Sequence, residues 1–223
     1  MGEVIGDILP LAVAITISPI PIIAAILTLL SQRAKGTSVG FLIGWVTGIV
    51  VAVTAFTFLS AVLPASDPDA SGPVKGTIQL LLGVLLFLVA AKQWQGRPRA
   101  GQQADPPRWM GAIESLSVGK GMGLGFLLSA VNPKNLIMSA GAGVVIGSAG
   151  LPGGETTVVI GAFTVVAASS VAVPVVVYLV APEQLAGLLE AFRGWLLKKS
   201  ATIMTVLLLV IGVSMIGRGI GAV

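Results

Sequence analysis

No residue from Ile8 to Leu30 carries a formal charge, and none does from Gly36 to Ser66. Apolar runs of this kind recur six times, over about 8–30, 38–64, 76–91, 122–147, 157–181 and 200–217. Roughly 20 apolar residues in a helix cross a hydrocarbon core, so these runs constrain the architecture before any motif does. They are continuous rather than alternating, and backbone in lipid must satisfy its polar groups within the segment, which selects helices over barrel strands. The third run extends through Lys92 to Trp94, with the lysine snorkelling at the edge. The composition agrees: of 223 residues, 55% are hydrophobic and 10% charged, where a soluble domain carries about 25% charge. Mean hydropathy is +1.00.

Charge segregates by linker. Arg33 and Lys35 follow the first run; Lys92, Arg97, Arg99, Arg108 and Lys120 follow the third; Arg193, Lys198 and Lys199 follow the fifth. The alternate linkers, "ASDPDASGPVK" and "GSAGLPGGET", hold three acids and one lysine. Lys/Arg excess marks the cytoplasmic side. The expectation is a multi-pass protein of the cytoplasmic (inner) membrane with both termini extracytoplasmic. The N-terminal "MGEVIGDILP" is acidic, unlike the start of a cleaved leader. The stretch "QWQGRPRAGQQADPPRW" reads as irregular cytoplasmic loop. In "PEQLAGLLEAFRGWLLKK", Leu185, Leu188, Leu189, Phe192, Trp195 and Leu196 recur at helical spacing, giving an amphipathic segment near 183–199. It lies at the inner surface or extends a neighbouring membrane helix.

The chain has no Cys and no His. That removes disulfides, thiolate metal sites, the commonest metal ligand and the usual proton carrier near neutral pH. It also lacks an ATP-binding G-x-x-x-x-G-K-[ST] loop, an H-E-x-x-H helix, paired carboxylates and a Ser–His couple. The reading is of a protein that is not an enzyme, with no cofactor, no metal and no nucleic-acid partner.

An internal repeat organises the rest. Aligning "ISPIPII" with "VNPKNLI" sets Ser18 over Asn132, Pro19 over Pro133, Ile20 over Lys134 and Pro21 over Asn135. Each motif lies in the first segment of a three-segment half. The halves are residues 1–95 and 121–223, joined by a cytoplasmic loop over 96–120. Three crossings per half invert the second relative to the first, so the expected fold is an all-α polytopic membrane protein. It has six transmembrane helices in two inverted three-helix repeats with broken first helices, a recurring transporter plan. At 1.5 Å per residue Ser18 and Lys134 lie roughly 15–18 Å into their segments, near mid-membrane. Proline there frees a carbonyl one turn back, and Pro19 with Pro21 withdraws two amides from one turn.

Lys134 is the only charged side chain deep within a segment, and an intramembrane ionisable residue points to function by default. No carboxylate lies in any segment to neutralise it. It therefore contacts an anionic part of a cargo, or else the carbonyls of the broken first segment. Asn132 before Pro133 fits the N-cap of a restarted half-helix; Asn135 needs a partner as well. Ser169, Ser170 and Pro174 in "AASSVAVPV" form a third polar patch, facing a substrate path or bonding back within their helix. Gly40, Gly44 and Gly48 make consecutive G-x-x-x-G steps that bring a neighbouring helix close, within the chain or across a homodimer.

These residues resemble the GAP-type (Sap-like) membrane proteins of actinobacteria, the glycopeptidolipid- and sulfolipid-addressing proteins of the wider lysine-exporter-like superfamily. The resemblance runs nearly end to end, through "ISPIPI", "GFLIGWVTG", "LLLGVLLFLVAAKQW" with "PPRWM", and "SAVNPKNL". Ser18, Pro19, Pro21, Asn132, Pro133, Lys134 and Asn135 carry the motifs. The resemblance implies export of a small or lipid-linked amphiphilic solute, glycolipid-related, toward the cell surface. The alternatives are an amino-acid-like solute, or a non-transporting membrane scaffold in a cell-envelope lipid export complex. Cadmium-transporting and thiol-relay relatives of that superfamily fit poorly, because this chain has no cysteine.

Overall fold

In a computed structural model the chain is described over residues 1–62, 68–95, 113 and 116–221. The expected cytoplasmic loop over 96–120 falls mostly outside these residues. Eight α-helices are described: α1 (Gly2–Thr16), α2 (Pro19–Leu29), α3 (Ala34–Val62), α4 (Pro68–Gln95), α5 (Val118–Ala130), α6 (Pro133–Ser148), α7 (Gly153–Val180) and α8 (Pro182–Ile220). Among the described residues three helices are long and apolar enough to cross a membrane, lying in α3, α7 and α8. A fourth span results if α1 and α2 count as one broken crossing. The amphipathic stretch near 183–199 is part of the continuous α8 rather than a separate surface helix.

Prolines set the two breaks. α1 ends at Thr16, Ile17 leaves the helical region (φ −87°, ψ 64°) and Ser18 is extended (φ −122°, ψ 99°). Steric conflict with the ring of Pro19 disfavours helical geometry at Ser18, and Pro19 then opens α2 at a position where no amide is required. The two helices are bent by 57°. The second break repeats this device: Asn132 is extended (φ −61°, ψ 120°), Pro133 starts α6, and the Asn132 side chain accepts the Lys134 amide at 3.1 Å as an N-cap.

The chain divides into two compact units. One comprises Met1–Leu63 with Pro106–Arg193, the other Pro64–Asp105 with Gly194–Val223. In the first, α3 packs along α5 and α6, while α7 packs on α1 and α2. A Cβ added at Gly44 would strike the Met122 carbonyl and the Phe126 amide; one at Gly125 would strike the Phe41 carbonyl and the Trp45 amide. Gly40, Gly48 and Gly121 face the same close contact, and Gly143 and Gly147 continue it on α6 against Phe56, Thr57 and Ser60. The glycine steps therefore join helices of one chain. Beside them Phe41 and Trp45 are fully buried and stack with ring centroids 6.4 Å apart. In the second unit Gly83 of α4 meets Gly212 and Ile216 of α8, and Gly212 meets Phe87 in return.

Candidate functional site

The two proline breaks face one another. From α6, Lys134 Nζ donates to the Ala14 carbonyl at 2.6 Å, the Ile17 carbonyl at 2.9 Å and Ser18 Oγ at 2.6 Å. Each acceptor has a local origin. The Ile17 carbonyl would receive the amide of residue 21 in a continuous helix, and Pro21 has none. The Ala14 carbonyl would receive the amide of Ser18, which has turned out of the helix. A side chain 117 residues away thus supplies the donor that Pro21 withholds.

Ser18, 2% exposed, passes the network on: its hydroxyl donates to Asn135 Oδ1 at 3.3 Å. Asn135, fully buried, donates through Nδ2 to the Leu128 carbonyl at 3.1 Å. That carbonyl lost its helical partner where Asn132 left the helix. Pro19 and Pro21 are buried beside Ser18, whereas Pro133 lies exposed. The described partners of the Lys134 ammonium are all neutral oxygens, and the one ion pair described, Arg193 with Glu190, lies elsewhere. No cluster of three acidic residues able to hold a metal occurs among the described residues.

A cavity of about 710 Å³ adjoins the first break within the same unit. Thr16, Ile22 and Ile26 form its α1–α2 wall. Ser169, Ser170, Val173, Pro174 and Val177 form the α7 wall, and Leu188, Leu189 and Phe192 of α8 close it. The sequence-predicted residues therefore gather in two places. Ser18, Asn132, Lys134 and Asn135 belong to the hydrogen-bonded break, while Ser169, Ser170 and Pro174 line the cavity. The two serines differ: Ser169 Oγ bonds back to the Val166 carbonyl at 2.7 Å, but Ser170 Oγ is buried without a partner. Sequence reasoning missed Thr16, Ile22 and Ile26. Their nearness to the SPIP break was the available signal, since a bent helix opens space along one side. It also missed Leu188, Leu189 and Phe192 as cavity residues, although they share the apolar helical spacing of their segment.

Neither a curated protein nor a solved structure matches the chain. The model of one family does: that of Sap, the sulfolipid-1-addressing protein, matches residues 8–221, so the chain belongs to that family.

Proposed function

We propose that the protein moves an acyl amphiphile with an anionic head across the cytoplasmic membrane, with Lys134 as the contact for the anionic group. The observation that carries this reading is the shell of the ammonium, whose partners among the described residues are all neutral oxygens. Such a shell satisfies the donors and leaves the unit charge for a ligand to complement. An intramembrane charge is costly, roughly 2.5–3.5 kcal/mol by insertion scales, and an anion offsets that cost better than carbonyls do. Engaging the anion draws the ammonium from the Ala14 and Ile17 carbonyls and loosens the joint between the two breaks. The family's description as sulfolipid-1-addressing supports a lipid cargo.

The carrier architecture is six crossings in two inverted halves with both termini outside. The packing supports this reading. The second helix of each half, α3 or α7, lies on the broken first helix of the other, and the third helices α4 and α8 share a glycine contact. This exchange is what a pseudo-two-fold axis in the membrane plane would produce. A second reading, a scaffold for a lipid export complex, draws on the fact that three donors of Lys134 already have acceptors.

Purified protein in liposomes, given fluorescent acyl lipids with anionic or zwitterionic heads, separates the readings. The wild-type chain is expected to speed transbilayer movement of the anionic lipid. Lys134→Met should abolish it in folded protein, and Lys134→Arg, which keeps charge but changes donor geometry, should retain part. A folded Lys134→Met protein with normal movement would refute the cargo contact. Absence of movement by wild type, together with co-purification of a larger partner, would establish the scaffold instead.

A further inference from the structure

We infer that the cavity between the α1–α2 break, α7 and the first turns of α8 is the seat of one acyl chain, with Ser170 donating to the ester carbonyl at its head end. This rests on the amphiphile reading above and names where the apolar part of that ligand goes. The volume, about 710 Å³, lies within the 300–1,000 Å³ typical of ligand sites, which are mostly apolar with a few placed polar groups.

The polar groups decide the chemistry. Among the described residues three hydroxyls belong to the lining, and two are already engaged: Thr16 with the Val13 carbonyl at 2.7 Å, and Ser169 with the Val166 carbonyl at 2.7 Å. The Ser170 hydroxyl is buried and unpartnered. A buried polar group in an apolar wall is costly without a partner, and a ligand that brings an acceptor to this point, with hydrocarbon beyond it, offsets that cost. Along α7 the lining then runs through Val173 and Pro174 to Val177, roughly 10 Å from Ser170 at 1.5 Å per residue. Val173 and Val177 are 59% and 39% exposed, so that hydrocarbon wall is open to an incoming chain.

The position relative to Lys134 fits one amphiphile. Thr16 lines the cavity, and the next residue, Ile17, presents its carbonyl to Lys134 Nζ at 2.9 Å. The last turn of α1 thus borders the acyl seat and the cationic group together. A free anion would use only the second, and a neutral hydrocarbon only the first.

The test uses the full chain in liposomes containing phosphatidylglycerol with a photoreactive diazirine in one ester-linked chain, and adducts mapped by mass spectrometry. Adducts are expected on Val173, Val177 and Leu188 at about tenfold the yield on Val176 and Val180, exposed residues near Val177 on α7 but outside the lining. Val173→Trp fills the seat and should cut adducts at Val177 and Leu188 by about tenfold while the melting temperature holds. Ser170→Ala should lower the yield about fivefold for the ester lipid and leave its ether-linked analogue unchanged. Equal yields on Val176 and Val180 would mean lipid bathing the surface only and overturn the seat, as would a folded Val173→Trp protein labelled like wild type. Equal effects of Ser170→Ala on both lipids would overturn the ester contact. Labelling reads occupancy rather than movement. A protein that is labelled but moves no lipid therefore sinks the carrier reading alone, and one that moves lipid without labelling sinks the seat alone.

Discussion

At the scale of single residues, the central event is the replacement of a missing main-chain donor by a side chain. Pro21 withholds an amide donor from the Ile17 carbonyl, and the Lys134 ammonium supplies a donor in its place at 2.9 Å. This makes the two positions energetically dependent. Lys134→Met alone should destabilise the protein, because the Ala14 and Ile17 carbonyls and Ser18 lose their shared donor. Pro21→Ala restores a local amide for Ile17. In that background Lys134→Met should cost less, with a coupling of about 0.5–3 kcal/mol in a thermal or denaturant double-mutant cycle. Additive effects would show that the lysine does not stand in for the proline's amide. The breaks themselves were legible in sequence, because a proline acts on its own helix within one turn. The identity of the donor was not, since it arrives from 117 residues away and only packing brings it there. The same holds for Asn135: its need for a partner was readable, but the Ser18 hydroxyl that meets it belongs to the other half.

Among the helices, the glycines of α3 and α5 matter for the absence of side chains. Gly44 sits against the backbone of α5, where neither the Met122 carbonyl nor the Phe126 amide can move aside as a flexible side chain does. Gly44→Ala should therefore separate the pair and cost about 1–3 kcal/mol, seen as a lower unfolding temperature in detergent. Gly123→Ala on α5 is the matched control, with nothing within 4 Å of the added methyl. It should be neutral or slightly stabilising through helix propensity, and equal losses in the two variants would refute the close-packed seam. Spacing in the sequence marked a close contact but not its partner, and the glycines' engagement within one chain removes them as an argument for a homodimer. Ser169 and Ser170 illustrate the same limit. Adjacent hydroxyls look alike in sequence, and only the orientation of α7 sets one back onto its own helix and leaves the other at a cavity wall.

For the whole molecule, the two units cut across the sequence halves: the first gathers the first two segments of each half, the second gathers the third of each. Apolar runs made the helices readable, whereas this regrouping depends on contacts that no local pattern encodes. The proposed topology is open to a clean test because the chain has no cysteine of its own. In intact cells Pro152→Cys should react with an impermeant maleimide, and Arg33→Cys should react only after the membrane is opened; the reverse pattern would overturn the orientation. The glycine seam also carries a consequence for how the molecule is made. Ribosomes finish α3 at Val62, and 55 residues, 63 to 117, precede the start of α5 at Val118. At about 5–20 residues per second, that delay lasts roughly 3–11 s. Throughout it, Gly40, Gly44 and Gly48 present bare backbone with no mate, so an interrupted chain carries on its surface a mark of incompleteness that only the second half of translation erases.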